Sequence, residues 1–230
     1  MANTSITFDI ETVPKQTPYT DHEQVFFERK FGQELNYQKI DTKTASQEQL
    51  DDIARMVKAT NPYLGEIVCI GMYDSGSDKQ YALSGSEKEI LEEFWRILEP
   101  HNWFISFNGL NFDIPWILIR SAKYDLNPPR PGNESHPFLN RKRFQLKPHF
   151  DLYQWMCDWS ARMAVTLEVA AEHLGFDSPK SGTVEAASVE KAFKDGRIEE
   201  IKKYCLRDIM TTFKASQKYV KFVYQPYYIT

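Results

Sequence analysis

The feature that most restricts the fold is a helix whose two ends are both written in the sequence. Ser86-x-x-Glu89 has the form of a capping box, in which each side chain satisfies a backbone N–H of the first turn. Ile90, Leu91, Phe94, Trp95 and Leu98 follow at helical spacing on one apolar stripe, and Pro100 closes the helix. Strand-like runs flank it, Lys79 to Leu83 before and Trp103 to Phe107 after. A capped amphipathic helix between two strands is a crossover connection, and it commits the chain to an α/β architecture with helices laid against a sheet.

Upstream, Thr4 to Ile10 alternates, with Ile6, Phe8 and Ile10 on one face and Thr7, Asp9 and Glu11 on the other, as a half-buried strand does. Ile67 to Tyr73 and Lys79 to Leu83 are strand-like and joined by residues 74–78, whose Asp, Ser and Gly content suits a hairpin loop. The expected central sheet is mixed: an antiparallel meander of three strands, then parallel crossover strands. Pro14 ends the first strand, and Ser46-x-x-Gln49 followed by Leu50, Ile53, Ala54 and Val57 marks a helix. Residues 14–62 are therefore expected to be a helical insertion in a single domain spanning 1–230. Beyond the crossover, a helix is expected from about Asp113 to Tyr124, then an exposed Pro- and Asn-rich loop from Leu126 to Asn140. The last third is helical: Leu167, Ala170, Ala171 and Leu174 form one stripe before Gly175, and Ile198, Ile201, Cys205, Ile209 and Phe213 line a long helix after Gly196.

A chain of 230 residues that is 42% hydrophobic can bury one sizeable core. The spacings of Cys69, Cys157 and Cys205 fit neither a disulfide framework nor a zinc site, which points to a reducing compartment. No signal-like leader and no apolar run of bilayer length occurs, so a soluble, cytoplasmic protein without membrane partners is expected. A net charge of -4 and a pI near 5.8 do not announce a nucleic-acid binder. The charge is uneven, however, because Arg141, Lys142, Arg143 and Lys147 crowd one stretch.

Asp9 and Glu11 leave the same strand face near its C-terminal end, where sheets of this class place ligands. Two converging carboxylates can clasp a hard cation, although a solvated strand face has the same pattern. Asp113 ends the segment Asn108-Gly109-Leu110-Asn111-Phe112-Asp113 between a strand and a helix, where a helix cap and a metal ligand are compatible readings. Tyr204 and Asp208, four residues apart, stack on one face of the long helix, as a surface tyrosine beside a solvated aspartate also would.

In this order the three segments resemble the motifs of the DEDD exonuclease superfamily, in its tyrosine subclass, and are similar to the proofreading exonuclease domain of family B DNA polymerases. Asp9 and Glu11 match the first motif, Asn108, Gly109, Phe112 and Asp113 the second, and Tyr204 with Asp208 the third; the histidine subclass has His where Lys203 stands. The resemblance runs from Ile6 to about Phe222, with weaker similarity around Phe150-Asp151-Leu152. It implies a ribonuclease H-like fold and a 3′-to-5′ exonuclease that hydrolyses phosphodiester bonds at nucleic-acid 3′ ends with two Mg2+ or Mn2+ ions. By the same resemblance Asp9 bridges both ions, Glu11 and Asp208 hold the one on the nucleophile side, Asp113 acts mostly through water, and Tyr204 orients the attacking water. The implied partner is the 3′ end of single-stranded DNA, with RNA possible, and the implied setting is DNA repair. No polymerase module lies within the sequence, so a free-standing enzyme is expected.

Asn108 and Phe112 are further candidates for substrate contact; Phe112 is equally suited to core packing. Arg141, Lys142, Arg143 and Lys147 suit either a grip on the phosphate backbone or a solvated edge. His149, Asp151 and Lys180 have no assignable role. Two rival functions share the pattern: an exoribonuclease similar to ribonuclease D, and a non-catalytic nucleic-acid-binding module on the same fold.

Overall fold

The structure is a computed structural model, and it describes residues 4–130, 134–177 and 188–224. Lys180 and residues 131–133 of the Pro-rich connection lie outside these. The chain divides into two compact units, Met1–Glu11 with Val68–Thr230, and Thr12–Ile67.

The first unit is organised on a five-stranded sheet of order β3-β2-β1-β4-β5, comprising β1 (Ile6–Pro14), β2 (Gly65–Asp74), β3 (Lys79–Leu83), β4 (Phe104–Ser106) and β5 (His149–Asp151). β2 and β3 are antiparallel, with Ile70 opposite Leu83 and Asp74 opposite Lys79. β4 runs parallel to both neighbours, Phe104 lying opposite Ile6 on β1 and His149 on β5. The sheet is mixed, and its strand order is that of a ribonuclease H-like fold. β5 is not foreseen in the sequence pattern, because His149-Phe150-Asp151 is three residues long with polar residues at both ends. Its pairing with β4 makes it a strand, beginning where the Phe104 N–H donates to the Pro148 carbonyl at 2.8 Å.

One face of the sheet is covered by α3 (Glu87–Leu98) and α4 (Asp113–Lys123). The capping box forms at Ser86 and Glu89, and the apolar stripe of α3 is buried along its length. Glu87 and Arg120 pair within this layer: Arg120 Nε donates to Glu87 Oε1 at 2.7 Å, a second guanidinium nitrogen binds Oε2, and the Tyr124 hydroxyl donates to Oε2 at 2.9 Å. A bidentate, buried pair of this kind fixes orientation more than it adds stability. The connection between Leu126 and Asn140 is exposed or partly exposed at most of its described residues, as expected, but a 3-10 turn at Pro137–Leu139 inserts Phe138 into the core. Phe138 is fully buried and its ring contacts Phe8, Phe94, Trp95, Phe104 and His149 at centroid separations of 5.0–5.6 Å. Removing such a ring typically costs about 3–5 kcal/mol, so Phe138 belongs to the core although the composition around it is that of a surface loop.

The opposite face is covered by α8 (Ile198–Tyr219), the long helix expected from the apolar stripe. Ala215 of α8 packs with Ile105, Phe150 and Leu152, the last from the short helix α5 (Leu152–Met156). α6 (Leu167–His173) and α7 (Val189–Lys194) complete the unit. The unit of residues 12–67 has α1 (Asp21–Gln38) and α2 (Gln47–Ala59), capped by Thr20 and Ser46. Phe27, Leu35, Ile53, Val57 and Leu64 form its own small core.

Candidate active site

The period-two alternation of β1 sends Ile6, Phe8 and Ile10 toward α3 and α4, and Thr7, Asp9 and Glu11 toward α8. Glu11 is buried and Asp9 partly so. The second segment arrives from the end of β4. Asn108 adopts a left-handed φ of 63°, and its carbonyl accepts from the N–H groups of Asn111 and Phe112, each at 3.1 Å. Gly109 is needed at this bend, since a Cβ there would lie 2.4 Å from Ser106 Oγ. α4 then begins at Asp113, whose carboxylate does not cap its own helix. It turns across the sheet end, and its Oδ1 accepts from the backbone N–H of Ile10 at 2.9 Å. The Asp113 carboxylate also lies close enough to Asp9 to act on it electrostatically.

The third segment is delivered by close approach of α8 to β2. A Cβ on Gly71 would stand 2.7 Å from Cys205 Sγ, so only glycine admits the helix at this depth. The Cys205 thiol donates toward the Asp9 carbonyl and Oδ2 at 3.7 and 3.9 Å. Tyr204 is buried on the same helix, one turn before Asp208. Ligand atoms of Asp9, Glu11 and Cys205 lie within 4.8 Å of one another.

Electrostatics register the convergence. Burial raises the Asp9 pKa well above the usual carboxylate range, and the negative charges of Asp113 and Asp208 push it further. Glu11 is raised by burial first and then by Asp9 and Asp208. Asp113 is pushed up to about 7 by burial, against the lowering effect of the Ile10 N–H. Tyr204 is raised by burial and by the charges of Glu11, Asp208 and Asp9, so its phenol stays protonated. Four carboxyl groups from three distant segments thus act on one another in a partly dry site. Such a set is costly when ionised and uncompensated, and its hard oxygen donors suit Mg2+ or Mn2+.

The remaining sequence candidates are dispersed. The Asn108 side chain is engaged internally, its Oδ1 accepting from Asn111 Nδ2 at 3.2 Å and Gln154 Nε2 at 3.3 Å. Phe112 is partly buried, its ring centroid 6.0 Å from that of buried Trp116, as core packing predicts. The basic residues of this stretch have different surroundings. Lys147 lies over the Trp103 ring, 4.7 Å from its centroid, at the N-terminal end of β4 and away from the carboxylates. Arg141 and Arg143 instead line a cavity beside the Asn108–Asp113 loop, and Lys142 is exposed.

Asp151 is the residue that sequence reasoning leaves without a role. Buried at the end of β5, it accepts from the N–H groups of Asn108, Leu110 and Gln154 at 2.8, 3.0 and 3.3 Å. It holds the loop that presents Asp113, and burial lifts its own pKa to about 6. A single polar residue in Phe150-Asp151-Leu152 was the only local trace of this function.

A family model described as "predicted 3′-5′ exonuclease related to the exonuclease domain of PolB" matches residues 66–224. A DNA polymerase of Pyrococcus glycovorans is 26% identical over 143 residues, which is 58% of this chain and 18% of the polymerase. DNA polymerase 1 of Sulfolobus acidocaldarius is 25% identical over 142 residues, 59% of this chain and 15% of that protein. The chain therefore spans less than a fifth of the length of these relatives. Among solved structures, the family B DNA polymerase of Pyrobaculum calidifontis superimposes with a TM-score of 0.61 at 14% identity, covering 96% of this chain and 25% of that one. This likeness is one of fold. No helix among the described residues is long and apolar enough to cross a membrane.

Proposed function

The chain belongs to the family of 3′-5′ exonucleases related to the exonuclease domain of PolB, and from that membership we propose that it removes nucleotides from the 3′ ends of single-stranded DNA by metal-dependent hydrolysis. The observation that carries this reading is the convergence of Asp113 and Asp208 on Asp9 and Glu11 of β1, close enough for the carboxyl groups to act on one another. The groups that raise the Asp9 and Glu11 pKa values after burial are neighbouring carboxylates and a thiol, a composition that supports a metal site.

In this reading Asp9, Glu11, Asp113 and Asp208 would hold two divalent ions. Two such ions, when bound, lower the pKa of a water and stabilise charge on both the attacking and the leaving oxygen. Tyr204 supports reading the site as one of the tyrosine subclass. Its protonated hydroxyl, raised rather than lowered in pKa, is unsuited to act as a base and suited to hold the attacking water by hydrogen bonding. Asp151 is a positioning residue that acts through the Asn108–Asp113 loop. Residues 14–62 are read as a helical insertion within one exonuclease domain.

The test is digestion of 5′-labelled DNA and RNA oligonucleotides with and without chelator. A ladder shortening from the 3′ end of DNA, abolished by EDTA and by Asp9→Ala, is expected. Shortening of RNA alone would move the assignment to the exoribonuclease reading. Binding of both without any shortening, at any divalent ion tested, would leave a non-catalytic binding module.

A further inference from the structure

Beside the loop that carries Asp113 lies a cavity of about 190 Å³, lined by Leu110, Asn111, Arg141, Arg143, Gln154 and Trp159. Two cationic forks, two amides and an indole make its wall, and no carboxylate contributes. Among the described residues neither Arg141 nor Arg143 makes an ion pair, and both are exposed. In a chain of net charge -4 this is a local reversal of sign. The wall is also anchored: Gln154 binds the Asn108 side chain and donates its backbone N–H to Asp151, the residue that latches Leu110.

The position is fixed by the chain. Asn111 is two residues from Asp113, a distance of at most about 7 Å along the backbone. A volume of about 190 Å³ is smaller than the roughly 300 Å³ of a pocket that encloses a small molecule, so it suits one functional group and not a whole nucleotide. Guanidinium forks match the geometry of a phosphate. Outside the cavity an aromatic strip continues from Trp155 to Trp159 to Phe144, with ring centroids 4.8 and 4.5 Å apart, and Phe144 is 66% exposed. An exposed ring next to a cationic pocket is the arrangement by which single strands are held, backbone on charge and base on a π-face.

We propose that Arg141 and Arg143 bind a backbone phosphate upstream of the scissile one while the base beside it stacks on Phe144 and Trp159, forming a second subsite for the single strand. The proposal rests on the exonuclease reading for which phosphate is cut. It adds that the enzyme grips more of the strand than the terminal nucleotide, so catalytic efficiency rises with substrate length.

The experiment compares wild type, the Arg141→Ala/Arg143→Ala double variant, Phe144→Ala and Lys147→Ala. All four positions are exposed, so folding is preserved. Binding of a 5′-fluorescein-labelled oligothymidylate is followed by anisotropy in EDTA, and hydrolysis is followed on that oligomer and on the p-nitrophenyl ester of thymidine 5′-monophosphate, which reaches the scissile site alone. The double variant is expected to bind the oligomer about tenfold more weakly, with a salt slope flatter by about 0.7 for the phosphate released. Its KM for the oligomer should rise while hydrolysis of the ester is unchanged. Phe144→Ala should weaken oligomer binding without altering the salt slope, and Lys147→Ala should match wild type in every arm. Equal oligomer affinity and salt slope in wild type and double variant would overturn the subsite, whatever the activity. A wild type that binds the oligomer through these arginines but hydrolyses neither substrate would leave the subsite standing and remove the exonuclease reading instead.

Discussion

The carboxylate of Asp113 accepts the backbone N–H of Ile10 at 2.9 Å, although the two residues are 103 positions apart. The start of α4 is thereby tied to β1 between Asp9 and Glu11. Asp113 therefore has two separable properties, an acceptor for Ile10 and a negative charge. Asp113→Asn keeps the acceptor and loses the charge; thermal melting of the metal-free protein should show stability equal to or above wild type, with hydrolysis lost. Asp113→Ala loses both and leaves the buried Ile10 N–H without its partner, so a destabilisation of about 1–3 kcal/mol is expected.

Stability of the metal-free protein should fall as pH rises. Asp113 has a folded pKa of about 7 against an ordinary value of 3.8, and Asp9, Glu11 and Asp151 shift in the same direction. Over this window the folded state binds more protons than the unfolded one, so the contribution is complete below the unfolded value and is lost as pH passes through the folded value. His149, depressed by burial to about 4, acts in the opposite sense and loses its contribution as pH falls. With the carboxyl groups in the majority, the melting temperature in EDTA should decline between about pH 5 and 8. Mg2+ or Mn2+ at one hundred times its dissociation constant should restore about 2.7 kcal/mol at the upper end. A melting temperature that climbs steadily over that range in EDTA would contradict the shifts.

Tyr204→Phe should slow single-turnover hydrolysis by about 100-fold through misplacement of the water, while metal-induced stabilisation persists. Because burial and the neighbouring carboxylates keep the phenol protonated, the wild-type rate profile should show no inflection from Tyr204 between pH 6 and its ordinary pKa near 10. An unchanged single-turnover rate for the variant would show that the hydroxyl is idle.

Asp151→Ala should act on the loop and not on the metal directly. It removes the acceptor of three backbone N–H groups, and a loss of about 3 kcal/mol in urea unfolding is expected. The rate should drop with a smaller change in metal affinity than Asp9→Ala produces, which calorimetric titration with Mn2+ would measure.

Gly71→Ala places a Cβ where Cys205 Sγ now lies 2.7 Å away. The overpacking should cost about 1–3 kcal/mol and shift α8, reducing activity through Tyr204 and Asp208. Combining it with Cys205→Ala should recover part of the stability, so a double-mutant cycle should give a favourable coupling. Strict additivity would show that the helix does not seat through this contact.

The sequence by itself determined the elements whose signals are local. The Ser86–Glu89 capping box, the apolar stripes of α3 and α8, and the alternation of β1 each relate residues two to four apart, and each formed where expected. The three acidic segments were equally legible because their order and spacing lie along the chain. Tertiary structure alone decided what depends on distant partners. β5 exists because β4 offers it a ladder, Phe138 is core because five rings surround it, and Asp151 matters because loop N–H groups 41 and 43 positions away point at it. What the basic run meets was decided in the same way: Arg141 lines a cavity beside the Asn108–Asp113 loop, and Lys147 lies over the Trp103 ring. Local periodicity reports which way a side chain faces; only the packed chain determines what it meets there.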